Sequence, residues 1–238
     1  MRLKTATIPL LVGGLIFLGI ACGSKSGQSN SGPICETMPA PEEMEDCVED
    51  DPQFAFVSHV EEMQRFCSNR CTTVTSIHLT AQNLHTLRPL KNIRELQGGF
   101  ILRWARGLDR LDGVQNIEIT GTKWQQQFYI ERTFDLKSTE GFDSLERVQA
   151  NVMVFRYNDS LIEVAGFPEL TEITGNGLVI SHNPELRTLE GFDKLEHVEG
   201  AVHIKNNPKL SRCDAEAFVD EIDRIDGEVV IDNNGPCE

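Results

Sequence analysis

The C-terminal part of the chain repeats itself every 24 to 25 residues, and this repeat restricts the possible folds more than any other feature. Rows begin at Gln149, Thr174 and Glu199, and a partial row begins at Asp226. The aligned rows share an apolar strand position, namely Phe155, Ile180, Ile204 and Ile231, and a turn position three residues later, namely Asn158, Asn183, Asn207 and Asn234. One such row cannot bury its own apolar side chains, so consecutive rows must stack as coils of a solenoid.

The same repeat continues upstream in a weaker form. Apolar residues keep a spacing of about three from Leu84 to Leu96, from Leu108 to Ile117 and from Leu136 to Val148, but Ala105 and Thr133 stand where later rows have asparagine. A long helix would also give this spacing, yet Asn183-Pro184 and Gly191 would interrupt it. The sequence therefore predicts a β-solenoid of about seven coils.

Short helices are expected to cap both ends of the solenoid. Asp51-Pro52 is typical of a helix start, and Phe56, Val60, Met63 and Cys67 would then share one helical face. At the other end, the residues from Cys213 to Ile222 predict a short helix, and those from Gly227 to Asp232 predict a last strand.

The repeat resembles the receptor L domain, a leucine-rich-repeat-like, single-stranded right-handed β-helix. The resemblance covers roughly Cys47 to Cys237 and is carried by the motif Leu178-x-Ile180-x-x-Asn183-x-x-Leu186-x-x-Leu189-x-Gly191-Phe192-x-x-Leu195-x-x-Val198. Members of this family occur in receptor ectodomains and in bacterial lipoproteins. The resemblance implies a domain that binds protein ligands through the face of its sheet.

The N-terminus has the features of an export signal. Arg2 and Lys4 precede an apolar run from Ile8 to Ala21, which is shorter than a membrane-spanning helix needs. The following Leu18-Gly19-Ile20-Ala21-Cys22 resembles the lipobox of bacterial lipoproteins, although Gly19 stands where leucine is usual; ordinary signal cleavage and an uncleaved anchor are the alternatives. We expect a signal peptide over 1–21, lipidation of Cys22, a flexible tether over 22–46 and the solenoid domain over 47–238.

Six cysteines remain after Cys22, and an even number in an exported chain predicts three disulfides. Cys213 and Cys237 are both placed by the repeat near one corner of the final coils, so they are expected to pair. The receptor L resemblance favours Cys47 with Cys71, which leaves Cys35 with Cys67.

The sequence contains no catalytic, cofactor or metal-binding motif, so we do not expect an enzyme. Some right-handed β-helices cleave polysaccharides with clustered carboxylates, but the position after the core strand residue holds no carboxylate pair on adjacent coils: Arg103, Glu131, Arg156, Ser181, Lys205 and Asp232. His182 and His203 are interpreted as surface residues. A net charge of −15 argues against nucleic acid as a partner.

The residues just before the core strand position should point outward from the sheet. In the first half of the solenoid this outward column is largely apolar, and arginines and aromatic residues flank it, which predicts a recognition face comprising Ile101, Arg103, Trp104, Trp124, Tyr129, Val154, Arg156, Tyr157 and Val179. Strand preference alone also explains β-branched residues at these positions.

Two functions follow from these observations. One is a lipid-anchored recognition or adhesion module in the bacterial cell envelope, on the outer membrane, that binds a protein or glycan. The other is a passive envelope scaffold without a specific ligand. A polysaccharide-active enzyme is the remote third reading.

Overall fold

The computed structural model describes residues 54–59, 72–122 and 127–237. Within these ranges there are one 3₁₀ helix, Arg88–Leu90, one α-helix and 17 strands. In chain order the labelled elements are β1 Phe54–His59, β2 Thr73–Val74, β3 Ser76–Gln82, β4 Glu95–Leu96, β5 Phe100–Arg103, β6 Ile119–Thr120, β7 Gln127–Glu131, β8 Arg147–Val148, β9 Val152–Arg156, β10 Glu163–Val164, β11 Glu172–Ile173, β12 Gly177–Ser181, β13 Thr188–Leu189, β14 His197–Val198, β15 Ala201–Lys205, α1 Arg212–Asp220, β16 Arg224–Ile225 and β17 Val229–Asp232.

These elements form a parallel β-solenoid of about six turns that matches a right-handed β-helix, so the predicted fold class is confirmed. Each complete turn contributes one strand to a long sheet with the order β1-β3-β5-β7-β9-β12-β15-β17. A second, seven-stranded sheet of two-residue strands runs alongside, and β10 pairs with β13 in a third. The predicted number of about seven coils is not confirmed.

The core lies between the sheets and is built from the apolar columns that the repeat predicts. Phe155, Ile180 and Ile204 are fully buried and lie in register on β9, β12 and β15. Successive phenylalanine rings lie in contact along the core, with centroids 4.9–6.4 Å apart: Phe100, Phe128, Phe142, Phe155, Phe167 and Phe192. Edge-to-face and offset contacts of this kind add to the burial of each ring.

The turn asparagines form a buried hydrogen-bonded ladder. The side-chain amide of Asn183 donates to the backbone oxygen of Phe155 in the preceding coil, at 3.1 Å. Its Oδ1 accepts from the backbone N–H of Asn158, also at 3.1 Å. Asn158 and Asn207 repeat this arrangement. Each asparagine therefore satisfies backbone groups at a corner where the strand ladder has ended.

The glycine that precedes phenylalanine in the repeat is needed where coils approach closely. Gly166 and Gly191 have φ of +85° and +77°, in the left-handed region. A Cβ added at Gly166 would lie 2.5 Å from the Cα of Glu140 in the coil before it. The Gly-Phe column thus marks a corner that has room for backbone only.

The predicted N-terminal helix through Phe56 is wrong, because residues 54–59 form strand β1. Its backbone pairs in parallel with β3, with Phe54 opposite Ser76 and Val57 opposite Leu79. Phenylalanine and valine prefer strands, and the open edge of β3 offers hydrogen-bond partners that an isolated helix start lacks. The other residues of the predicted helical face, Val60, Met63 and Cys67, lie outside the described residues.

At the C-terminus, α1 lies where the sequence predicts a short helix and ends two residues before Ile222. The side chain of Ser211 caps it by accepting from the backbone N–H groups of Cys213 and Asp214. Cys213 and Cys237 form the predicted disulfide, with Cα atoms 5.2 Å apart. β17 begins at Val229, two residues after the start of the last strand predicted from Gly227 to Asp232.

The signal segment, Cys22, the tether, Cys35, Cys47 and Cys71 also lie outside the described residues. Among the residues that are described, no helix is long and apolar enough to cross a membrane.

Candidate functional site

The outer face of the long sheet carries two columns of side chains in strict register. The first, which we call the apolar column, runs through paired strand positions: His78, Ile101, Tyr129, Val154, Val179, His203 and Val230. The second, the charged column, begins two residues later on each strand: Arg103, Glu131, Arg156, Ser181, Lys205 and Asp232. Both point away from the core because side chains alternate along a strand.

The sequence predicts that Ile101, Tyr129, Val154 and Val179 point outward from the sheet, but two of them are buried there. Ile101 is 5% exposed and Val154 is 3% exposed, whereas Tyr129 and Val179 are half-buried. Neighbouring strands lie only about 4.8 Å apart, so the side chains of one column cover each other. In addition, the guanidinium groups of Arg103 and Arg156 lie over the Tyr129 ring, 4.7 and 5.6 Å from its centroid.

A buried carboxylate links the two arginines of the charged column. Glu131 is 4% exposed, and its Oε2 accepts a hydrogen bond from Nε of Arg156 at 2.5 Å. Nε of Arg103 lies 2.5 Å from Oε1, but without the alignment of a hydrogen bond, so that contact is an ion pair only. Both oxygens of Glu131 are therefore engaged, and the two guanidinium groups are held in place above Tyr129.

A third column follows the charged column and has an unusual backbone. Seven non-glycine residues of the described ranges have φ between +53° and +63°, and each directly follows one strand of the long sheet: Asn83, Trp104, Arg132, Tyr157, His182, Asn206 and Asn233. One left-handed residue therefore follows each long-sheet strand from β3 to β17 and turns the chain into the next side of the coil.

The four middle members of this column stack on one another, and we call Trp104, Arg132, Tyr157 and His182 the stacked ladder. The guanidinium of Arg132 lies between two rings, 4.8 Å from the centroid of Trp104 and 4.8 Å from that of Tyr157. The other face of Tyr157 stacks on His182, with centroids 4.6 Å apart. Nε2 of His182 then lies 3.1 Å from Nδ2 of Asn206, where the stacking stops.

The residue types of the stacked ladder are unfavourable for its backbone. A left-handed conformation costs an ordinary L-residue about 1–2 kcal/mol, and asparagine is one of the few residues that adopt it readily. Asparagine occupies this column at both ends, in Asn83, Asn206 and Asn233. Four adjacent coils instead carry Trp, Arg, Tyr and His there, which indicates that their side chains have a role beyond ending the strand.

The ladder is also the most accessible aromatic surface of the described residues. Trp104 is 46% exposed and Tyr157 is 38% exposed, and His182 is exposed as well. The ladder and the charged column together bring three arginines near one carboxylate, an excess of two positive charges (three minus one) on a chain of net charge −15. This surface therefore attracts anionic groups in a protein that otherwise repels them.

The structure brings together most of the predicted recognition residues but changes their roles. Ile101 and Val154 are the buried residues of the apolar column, which forms the floor of the site. Arg103 and Arg156 lie beside them in the charged column. Trp104 and Tyr157 belong to the exposed stacked ladder. Val179 continues the floor next to Val154. Trp124 lies outside the described residues.

Two members of the ladder, Arg132 and His182, were missed from the sequence. A signal for them exists, because both directly precede a turn residue of the repeat, Thr133 and Asn183. The same column holds asparagine in the last rows of the repeat, so the sequence itself shows a change of residue type along this column.

One histidine beside the site has a shifted titration. Burial lowers the pKa of His78 below its usual value of 6.5, and the nearby positive charge of Arg103 lowers it further. His78 pairs with Ile101 at the start of the apolar column, so this end of the floor favours an uncharged ring.

Comparison with protein-family models, with curated proteins and with solved structures finds no match for this chain. Within the described residues, no group of three or more His, Cys, Asp or Glu side chains is placed to hold a metal ion.

Proposed function

We propose that this protein is a lipid-anchored recognition module of the bacterial cell envelope, which binds a macromolecular partner through the outer face of its long sheet. The observation that carries the proposal is the stacked ladder. Its bulky, chemically diverse side chains stand in a left-handed column where asparagine serves the fold at lower cost. The receptor L resemblance supports the same face, since relatives in that family bind protein ligands there.

The energetics of the ladder favour a contact surface. Trp, Tyr and Arg are the residue types that dominate binding energy in protein interfaces. Here they are rigid before any partner arrives, because Arg132 is held between two rings and Tyr157 is covered on both faces. Little side-chain entropy is then lost on binding.

The proposal is tested by affinity capture from envelope extract with three immobilised forms of the protein: the wild type, Tyr157→Asn and the control Arg187→Asn. Arg187 is exposed, and its side chain lies beyond the turn rather than in the ladder. We expect partners that wild type and Arg187→Asn retain equally and that Tyr157→Asn loses. Identical captured proteins and glycans for all three forms would remove the sheet face as the site.

A passive scaffold is the second candidate, and one observation favours it. Ile101 and Val154 are buried, so the floor offers less apolar surface to a partner than a column open to water would. A scaffold predicts that no component binds in a manner that depends on the ladder, which is the second outcome of the same capture experiment.

The envelope location rests on the lipobox-like segment before Cys22. Metabolic labelling with a fatty acid should tag the wild type and leave Cys22→Ser untagged. Equal labelling of both forms would contradict lipid anchoring without affecting the proposed binding face.

A further inference from the structure

Within the stacked ladder, Arg132 and Tyr157 present their edges to solvent, not their faces. The guanidinium of Arg132 occupies one face of Trp104 and one face of Tyr157, and His182 occupies the other face of Tyr157. A ring bound on both faces can meet a partner only along its rim. The rims of Trp, Arg, Tyr and His carry N–H and O–H groups, so the ladder is a row of hydrogen-bond donors.

The charge beside this row is positive and only partly compensated. Glu131 engages Arg103 and Arg156, but within the described part of the chain no carboxylate pairs with Arg132. The guanidinium groups of Arg132 and Arg156 both lie near the Tyr157 ring, 4.8 and 5.9 Å from its centroid. Two like charges so close to one ring favour an anion that bridges them.

We propose that the stacked ladder, together with Arg156, binds an acidic polypeptide segment of a protein partner through its Asp and Glu carboxylates. This inference rests on the proposed recognition function and names the chemistry of the partner. Carboxylates fit the site because each accepts two hydrogen bonds from a planar guanidinium edge.

A glycan fits the same surface less well. Sugar rings gain affinity from aromatic side chains mainly by lying on the ring face, where their C–H groups contact the π system. Tyr157 has both faces covered and Trp104 has one face covered by Arg132. Apart from the second face of Trp104, what remains is a set of charged and polar edges, and these recognise carboxylates on a flexible chain.

The test measures binding of a fluorescein-labelled oligoglutamate peptide by fluorescence anisotropy, with oligoserine and oligolysine peptides as negative probes. We expect oligoglutamate to bind the wild type and the two negative probes not to bind. Arg132→Asn should weaken binding by about tenfold or more, since it removes a charge-assisted contact. Arg132→Lys keeps the charge but loses the planar guanidinium, so its loss should be smaller.

The control Arg187→Asn removes the same charge away from the ladder and should change the affinity by less than about twofold. Circular dichroism of each variant shows that it is folded before binding is compared. If oligoglutamate binds no better than oligoserine, or if Arg187→Asn weakens binding as much as Arg132→Asn, the proposal is overturned.

Polygalacturonate supplies the glycan arm of the experiment. Tighter binding of this acidic polysaccharide than of oligoglutamate, lost in Arg132→Asn, would replace the acidic segment by an acidic glycan. The proposed recognition function and this inference about acidic segments are overturned by different results. If oligoglutamate does not bind but Tyr157→Asn still loses its partner in the capture experiment, recognition stands and only the chemistry named here falls.

Discussion

The turn after each long-sheet strand has different side chains in two groups of coils. The earlier coils contain β5 and β7, and the later coils contain β12, β15 and β17. In the later coils the turn position holds Asn183, Asn207 and Asn234, of which the first two are buried, and their amides bind backbone groups of neighbouring coils. In the earlier coils that position holds Ala105 and Thr133, and the hydrogen-bonded ladder stops at Thr133.

The exposed column just before the turn shows the reverse distribution. The coils of β15 and β17 carry Asn206 and Asn233 there, whereas the coils of β5, β7 and β12 carry Trp104, Arg132 and His182. The coils of β15 and β17 thus use the residues that suit the backbone best, both inside and outside. The earlier coils forgo some of that stability, and the bulky residues they carry form the candidate binding surface. This difference indicates that stability and recognition can depend on different coils of one solenoid.

Breaking the asparagine ladder is expected to have the largest effect. Asn183→Ala leaves the backbone N–H of Asn158 without its acceptor and the oxygen of Phe155 without its amide donor, both at a buried site. We expect a loss of about 4 kcal/mol in the free energy of unfolding, measured by urea denaturation. Thr133→Val is the matched control in the earlier coils, because it removes one hydroxyl bond to Asn158 and should cost about 1 kcal/mol. Equal losses for the two variants would show that the coils do not differ in this way.

Opening the C-terminal disulfide should have the next largest effect. Cys213→Ser frees a loop in which the two cysteines are 24 positions apart, and chain entropy then predicts a loss of about 3 kcal/mol. The measurement is urea unfolding under non-reducing conditions, with the reduced wild type as the control that should match the variant. A peptide map that links Cys213 to any residue other than Cys237 would contradict the assignment directly.

Exchanging residues between the two halves of the left-handed column should change stability only slightly. Arg132→Asn relieves backbone strain of about 1 kcal/mol but removes two cation–π contacts worth about 0.5–1 kcal/mol each, so the free energy of unfolding should move by no more than about 1 kcal/mol.

The reciprocal change, Asn206→Arg, places arginine in a left-handed position and should destabilise by about 1 kcal/mol. Urea titrations of both variants check the pair. A loss of several kcal/mol for Arg132→Asn would mean that the stacked ladder is structural, which would remove the main support for the recognition function.

The smallest expected effect is a pH dependence that has opposite signs in the two regions. In the later coils, the hydrogen bond that His197 donates to the Asp226 carboxylate raises the pKa of His197 above 6.5, with Glu172 adding to it. The folded state therefore binds that proton more tightly than the unfolded state, and this stabilisation is present below pH 6.5 and lost as the pH rises through the raised pKa.

His78 in the earlier coils has a lowered pKa, so its contribution is present above pH 6.5 and lost as the pH falls through the lowered value. His197→Gln should therefore reduce the melting temperature more at about pH 5.5 than at about pH 8. The wild type measured in the same buffers is the reference. A reduction that is the same at both pH values would show that the Asp226 contact does not stabilise the charged ring.

The sequence alone determined the solenoid and its core. The columns of Phe155, Ile180 and Ile204 and the partners Cys213 and Cys237 were predictable, because each depends on the repeat period and on the identity of a single residue. A coil of this length has one way to bury its apolar side, and that is to stack on the next coil. The regular rows from Gln149 onward gave the clearest signal.

Only the tertiary structure decided which side chains are buried and which stack on one another. Residues 54–59 form a strand because the edge of β3 is available to them, and the sequence of this segment does not show that edge. Ile101 and Val154 are buried by neighbours that come from other coils. Arg132 belongs to the site because Trp104 and Tyr157 lie on either side of it, one coil away in each direction. Exposure and stacking depend on residues that are distant in sequence and adjacent in space, so a pattern read along one chain cannot determine them.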